Sequence, residues 1–206
     1  MIYNPLKREI ISGKEINKLD RFVLNFISLL KRHNIGYVIV SGYVSIVLGR
    51  ARATEDVDML ICPIELSKFI VFFNDLMGAG YECANTMDAK EAFDMLGSHT
   101  VRFYEKDKPI PHIKFKFMKR DLDRYSFENK TRLITNGSDL SISPLALHVA
   151  FKLFLAADGI DEELQSYKDI EDARFVYKLF KEKINKEELY YLVKKLNVEK
   201  RMRWLE

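Results

Sequence analysis

The sequence predicts an α+β fold: a mixed β-sheet flanked by helices, followed by a C-terminal helical region. Three observations carry that expectation. Short apolar, β-branched runs alternate with segments of helical period as far as Ser143. Over 145–204 the periodicity is helical throughout, enough for three or four helices, with almost no Gly or Pro. No internal repeat, low-complexity tract or flexible linker interrupts either part. The 206 residues therefore divide softly near Ser143 into an α/β core, 1–143, and a helical subdomain, 144–206.

Taken in order, Ile16, Leu19, Phe22, Val23, Phe26 and Leu30 recur at helical spacing, with Lys18, Arg21, Asn25, Lys31 and Arg32 elsewhere on the wheel. A helix over 16–32 follows, stopped by His33-Asn34 and Gly36. Residues 37–40 are a buried strand closed by a tight turn at Ser41-Gly42. A short helix over 44–48 ends at Gly49. The strand 56–61 ends at Cys62-Pro63, and a helix over 65–77 stops at Gly78 and Gly80. Residues 88–96 read as a helix, and 100–104 as a strand turning at 106–109 into a second, 113–117. Asn136-Gly137 marks a hairpin between 133–135 and 140–142. Ser143-Pro144 starts the first C-terminal helix.

Hydrophobic residues make up 48% and aromatics 12%, so long disorder is excluded and a sizeable core is available. The formal charge of +3 is too small to establish nucleic-acid binding but suits anionic ligands. Cys62 and Cys83 have no metal or redox spacing and read as small buried apolar residues. Lys7, Arg8 and Glu9 stand where a signal peptide needs an apolar run, and the longest uncharged stretch is too short to span a bilayer. A cytoplasmic protein is expected.

The chemistry lies in the eighteen residues 41–58. A buried strand delivers the chain to Ser41-Gly42, whose small side chains let backbone N–H groups approach a ligand, and the next helix points its N-terminus at the same place. Asp56 and Asp58, two apart on a strand, project from one face, while Val57 and Met59 point into the core. Paired hard oxygen donors suit Mg²⁺, which takes its other ligands from water and substrate phosphates.

This stretch resembles the signature of the nucleotidyltransferase fold superfamily, particularly its AbiEii-like toxin branch and related uncharacterised branches. The family pattern runs Gly-Gly or Gly-Ser, a short helix, a Gly, then Arg-x-Thr-x-Asp-x-Asp. Gly42, Gly49, Arg52, Thr54, Asp56 and Asp58 match in register, and the departure is Ser41 in place of the first glycine. Lys152-Leu153 and Lys168-Asp169-x-x-Asp172 resemble the family's Lys-Leu helix and later Lys-Asp-x-x-Asp segment. By itself, Lys168 with Asp172 is an ordinary surface ion pair.

The resemblance implies a transferase that binds a nucleoside triphosphate with Mg²⁺, or Mn²⁺, on Asp56 and Asp58. Ser41, Gly42, Thr54 and Arg52 fall at the nucleotide, with Lys152 and Lys168 completing a phosphate cradle and Asp169 positioning the acceptor or acting as base. Active members commonly add a third carboxylate from a neighbouring strand. Here that strand carries His112, Lys114 and Lys116 on one face and Ile113, Phe115 and Phe117 on the other, so Lys114 stands at the expected place. Three arrangements are open. Lys114 neutralises phosphate or pairs with Asp58 in a one-metal site; the site is degenerate; or Asp121 or Asp123 fills the role after a bend.

Lesser signals complete the reading. His33, His99, His112 and His148 show no metal spacing, and His148 reads as a hydrogen-bonded core residue. The basic residues of 178–186 and 194–203 read as a solvated face, with an RNA acceptor as the alternative. Three functions compete: nucleotide transfer to RNA, protein or a small molecule; nucleotide or partner binding without catalysis, in a toxin–antitoxin pair; and RNA binding through the basic C-terminus.

Overall fold

The computed structural model describes the backbone of residues 1–156 and 163–206 and the side chains of 1–156 and 167–206. Of the helical stretch expected over 145–204, residues 157–162 lie outside the described residues. In chain order the elements are β1 (Ile2–Asn4), β2 (Glu9–Ser12), α1 (Lys18–Arg32), β3 (Tyr37–Val40), α2 (Gly42–Val47), β4 (Asp56–Ile61), α3 (Leu66–Gly78), β5 (Tyr81–Cys83), α4 (Ala89–Leu96), β6 (Val101–Glu105), β7 (Lys108–Phe117), α5 (Asp121–Glu128), β8 (Thr131–Thr135), β9 (Ser138–Ile142), α6 (Leu145–Leu155), α7 (Glu163–Phe180), α8 (Lys186–Lys195) and a closing 3-10 helix (Glu199–Leu205).

Two compact units alternate along the chain. One, the aromatic unit, comprises Glu15–Tyr43 and Ala53–Glu128; the other, the helical unit, comprises Met1–Lys14, Val44–Arg52 and Asn129–Glu206. The sequence-based division at Ser143 is a different cut, because the β8–β9 hairpin groups with the C-terminal helices.

In the aromatic unit the strand order is β3-β4-β7-β6-β5. β4 and β7 run parallel and the other neighbours antiparallel, so the chain crosses over through α3 and α4 between β4 and β7. Alternation fixes the faces: Val57, Met59, Ile113 and Phe115 are completely buried. Against them Phe26 of α1 sets its ring 5.5–6.1 Å from Phe72, Tyr81, Phe103 and Phe115. Each such side chain contributes about 1.5–3 kcal/mol by leaving water. The helix α1 starts at a reciprocal capping box, with Asp20 N–H donating to Asn17 Oδ1 at 2.9 Å and Asn17 N–H to Asp20 Oδ2 at 3.1 Å. Beyond β7, α5 lies against β3, and a Cβ at Gly36 would come within 3.0 Å of both Cys62 Sγ and Phe127.

In the helical unit the strand order is β1-β2-β8-β9, with β2 and β8 parallel. The helix α6 is buried over nearly its whole circumference, from Leu145 to Ala150 and again at Lys152 and Leu153, and packs against α7 and α8. Its C-terminal carbonyls are satisfied by Arg201, whose guanidinium donates to Leu153 O at 2.8 Å and also to Ala156 O. Among the described residues no helix is long and apolar enough to cross a membrane.

Four elements escaped the sequence reading: the paired strands β1 and β2, the three-residue β5, and α5. Cys62, expected to be buried, is half-buried, while Cys83 is buried at 5% exposure.

Candidate functional site

β4 opens the site in the aromatic unit. Asp56 and Asp58 are partly exposed while Val57 and Met59 are buried, so the two carboxylates share the face turned away from the Phe26 core. Val40 at the end of β3 pairs with Asp58, which places the Ser41-Gly42 turn one residue beyond the second carboxylate. On the other side, β7 sets His112 beside Asp56 and Lys114 beside Asp58.

Lys114 does not pair with Asp58, its register partner. Strand side chains lean along the strand, and the long lysine stem carries Nζ back to Asp56 Oδ2 at 2.5 Å. His112 Nε2 lies 2.6 Å from Asp56 Oδ1, close enough for an ion pair but outside hydrogen-bonding alignment. Asp56 is thus bracketed by two nitrogens. Among the described residues the Asp58 carboxylate has no hydrogen bond or ion pair. Thr54 Oγ1 closes a local turn, donating to Asp56 O at 2.9 Å and accepting from Asp56 N–H at 3.3 Å.

The turn before this strand is strained in an informative way. Ser41 has φ +63°, a left-handed conformation open to glycine without cost and costing another residue about 1–2 kcal/mol. The position explains why a glycine suits the family pattern here. Tyr43, two residues on, is completely buried, and its hydroxyl donates to Asp20 Oδ1 at 2.8 Å, tying the segment to the α1 capping box. Burial, reinforced by Asp20, pushes the Tyr43 phenol well above its ordinary range, so it remains a donor. At the far end of α2, Gly49 at φ +108° ends the helix in a Schellman motif: Arg50 N–H donates to Ser45 O at 2.9 Å and Gly49 N–H to Ile46 O at 3.0 Å.

The helical unit carries a second charged cluster. Lys152 Nζ lies 2.6 Å from Asp169 Oδ1 and 2.8 Å from Asp172 Oδ2, with all three side chains at most 3% exposed. Arg52 adds a 2.6 Å bond to Asp172 Oδ2, and Arg50 donates to Asp172 Oδ1. Burial pushes the Asp172 carboxyl up, but Lys152 and Arg52 outweigh it and hold the group below its ordinary range. His148 faces the same cluster, 3% exposed, with Nε2 3.0 Å from Ser45 Oγ. Burial, then the Lys152 charge, drive its pKa down to about 3, so it is neutral.

The expected surface pair of Lys168 with Asp172 is corrected by this geometry. Asp169 and Asp172 lie three apart on α7 and both turn inward, which leaves the Lys168 side chain exposed. Its carbonyl accepts from Arg50 at 3.2 Å. Asp121 and Asp123 do not serve as a third carboxylate either. Asp123 accepts from the backbone N–H groups of Lys119 and Arg120, both at 3.1 Å, at the start of α5, and Asp121 pairs with Arg124 at 3.2 Å.

Among the described residues no cluster of three or more His, Cys, Asp or Glu is arranged to hold a metal ion. Asp56 and Asp58 still fit one hard divalent ion. Each carboxylate oxygen has two lone-pair sites, so Asp56 keeps capacity beside Lys114, and Asp58 is open. The sequence reading gave Tyr43 no role, and it placed His112 on the Lys114 face without assigning it one. For His112 the signal was present, since its place two residues before Lys114 puts it on the same strand face.

No family model matches the sequence, and no curated protein matches it either. Solved structures do. An antigenic nucleotidyltransferase-like protein from Paracoccidioides brasiliensis aligns with a TM-score of 0.58 at 16% identity, covering 90% of this chain and 92% of that one. The antibiotic-resistance factor ANT(2'')-Ia, in its solution structure, aligns at 0.57 and 12% identity over 91% and 96% of the two chains. The lincosamide antibiotic adenylyltransferase LnuA, lincomycin-bound, aligns at 0.50 and 10% identity over 79% and 99%. At these identities the likeness concerns the fold, and the fold is that of the nucleotidyltransferases.

Proposed function

We propose that the protein transfers a nucleoside monophosphate from a nucleoside triphosphate to an acceptor, with Asp56 and Asp58 holding the metal–nucleotide complex. An acceptor oxygen forms a bond to the α-phosphorus, the bond from that phosphorus to the α–β bridging oxygen breaks, and pyrophosphate leaves with the electron pair. The acceptor proton passes to a base or to water. Asp56 and Asp58 would hold Mg²⁺ or Mn²⁺ there, which would supply positive charge against that developing on the phosphates. The carrying observation is the pair of half-exposed carboxylates on β4 beside the Ser41-Gly42 turn, with Asp58 unbonded among the described residues.

In this reading Ser41 and Gly42 offer backbone N–H groups to phosphate, and Thr54 fixes the approach to Asp56. Lys114 is a donor to phosphate. Arg52, Lys152 and Lys168 were expected in the phosphate cradle; the buried pairing of Lys152 with Asp169 supports a role for Asp169 in fixing that ammonium. The motif of 41–58 supports a place beside the AbiEii-like toxins, and with it a toxin–antitoxin pair in the cytoplasm. RNA, protein and small molecules remain the acceptor classes.

A second reading, nucleotide or partner binding without transfer, draws on Lys114 and His112 bracketing Asp56. Incubation with each α-labelled triphosphate, Mg²⁺ or Mn²⁺, and total RNA or lysate separates the two. Label appearing on an acceptor supports transfer. Nucleotide binding with no transfer under any combination supports the second reading.

A further inference from the structure

Two-metal phosphoryl-transfer sites place two divalent ions about 3.5–4 Å apart, one on each side of the displaced phosphorus, and need carboxylates enough to hold both. On β4, Asp56 and Asp58 are the acids of this face. The next strand, where more donors would come from, offers His112 and Lys114 in direct register with them. Lys114 ends 2.5 Å from Asp56 Oδ2, with its side chain 28% exposed and that of Asp56 32% exposed, so the pair is partly open to solvent. His112 Nε2 stands 2.6 Å from the other Asp56 oxygen.

We propose that Lys114 is a built-in cation that limits the Asp56/Asp58 pair to a single divalent ion and itself donates to a phosphate oxygen of the bound triphosphate. The inference rests on the nucleotide-binding reading above and deepens it. Three physical points carry it. An ammonium beside Asp56 supplies one of the positive charges that a second ion would bring, without needing ligands of its own. The lone-pair sites that Asp56 keeps beside the ammonium, with those of Asp58, serve one divalent ion, and a second ion at Asp56 Oδ2 would meet the repulsion of the ammonium. The three donors of Lys, on a flexible stem, allow the amine to keep Asp56 and reach a phosphate together. His112 contributes by filling the opposite edge of Asp56, leaving Asp58 as the carboxylate with both oxygens available among the described residues.

The test is Mn²⁺ stoichiometry. Free Mn²⁺ is followed by electron paramagnetic resonance during titration of the whole chain with the four α,β-methylene nucleoside triphosphates, correcting for Mn²⁺ held by nucleotide alone. The wild type takes one Mn²⁺ per chain, and Lys114→Asp, which puts a carboxylate in the same register, takes two. Two ions in the wild type, or one in a folded Lys114→Asp, overturn the inference while leaving nucleotide binding intact. No protein-bound Mn²⁺ with any of the four overturns the nucleotide-binding reading itself. Lys114→Met keeps the stem and covers the case in which Lys114→Asp fails to fold. It binds triphosphate at least about tenfold more weakly, the loss of one charge-assisted hydrogen bond. Unchanged affinity in Lys114→Met removes the phosphate contact from the proposal.

Discussion

His148 makes this protein sensitive to mild acid in a way that can be calculated. The side chain is 3% exposed on α6, accepts or donates one hydrogen bond with Ser45, and faces the Lys152 ammonium. Its pKa in the folded protein is about 3, against an ordinary value of 6.5. The folded state therefore keeps the ring neutral where the unfolded chain takes up a proton. The stabilisation is complete above pH 6.5, declines as pH falls below that value, and has been lost once pH passes through about 3. Within that window each pH unit costs about 1.4 kcal/mol, so a change from pH 7 to pH 4.5 removes about 2–3 kcal/mol through this residue alone. That is a sizeable part of the about 5–15 kcal/mol that ordinarily separates folded from unfolded chains. Gln can keep a bond to Ser45 and does not titrate. Urea unfolding of the wild type and His148→Gln at both pH values gives four free energies. The difference of differences is expected to be about 2–3 kcal/mol, with the variant less acid-sensitive, and the cost of the substitution itself cancels. Equal losses in the two proteins would falsify the buried, neutral state assigned to His148.

Lys152→Met removes the buried cation from beside Asp169 and is expected to cost about 3–5 kcal/mol in urea unfolding, whereas Lys152→Met combined with Asp169→Leu recovers a large part of it. Additive losses in the double variant would remove the coupling. Tyr43→Phe takes a donor from buried Asp20 and is expected to cost about 1–3 kcal/mol; a thermal melt indistinguishable from wild type contradicts the anchoring role. Ser41→Gly relieves the left-handed backbone and is expected to raise stability by about 0.5–1 kcal/mol, while Ser41→Val lowers it by about 1–2 kcal/mol. If both variants melt alike, the turn is not strained.

The sequence showed the fold where period and punctuation agreed. Phe22, Phe26 and Leu30 on one helical stripe made α1 plain, and its observed start at Lys18 follows from Asn17 and Asp20 capping each other. β4 was legible because Val57 and Met59 alternate with the two aspartates. β5 was not, because three residues carry too little pattern, and α5 was hidden by its charged first turn, where Asp121 and Asp123 read as polar loop. The strand pair β1–β2 is held partly by distant groups: Arg8 on the connecting turn bonds Glu188 at 3.2 Å, a partnership across 180 residues that no local pattern contains. In the site, alternation placed Lys114 beside Asp58, but register says where a Cα sits and not where four methylenes end. The same limit applied to Asp172. Its spacing suited a surface pair with Lys168, and only packing of α7 on α6 turns it toward Lys152.

The account stands on Asp56 and Asp58 jointly holding a metal–nucleotide complex. Isothermal titration of the wild type and of the Asp56→Asn/Asp58→Asn double variant with α,β-methylene triphosphates, with and without Mg²⁺, tests it most directly. Wild-type binding that strengthens with Mg²⁺, and a double variant that has lost the Mg²⁺-dependent part, is the expected result. Equal Mg²⁺-dependent affinity in both proteins contradicts it.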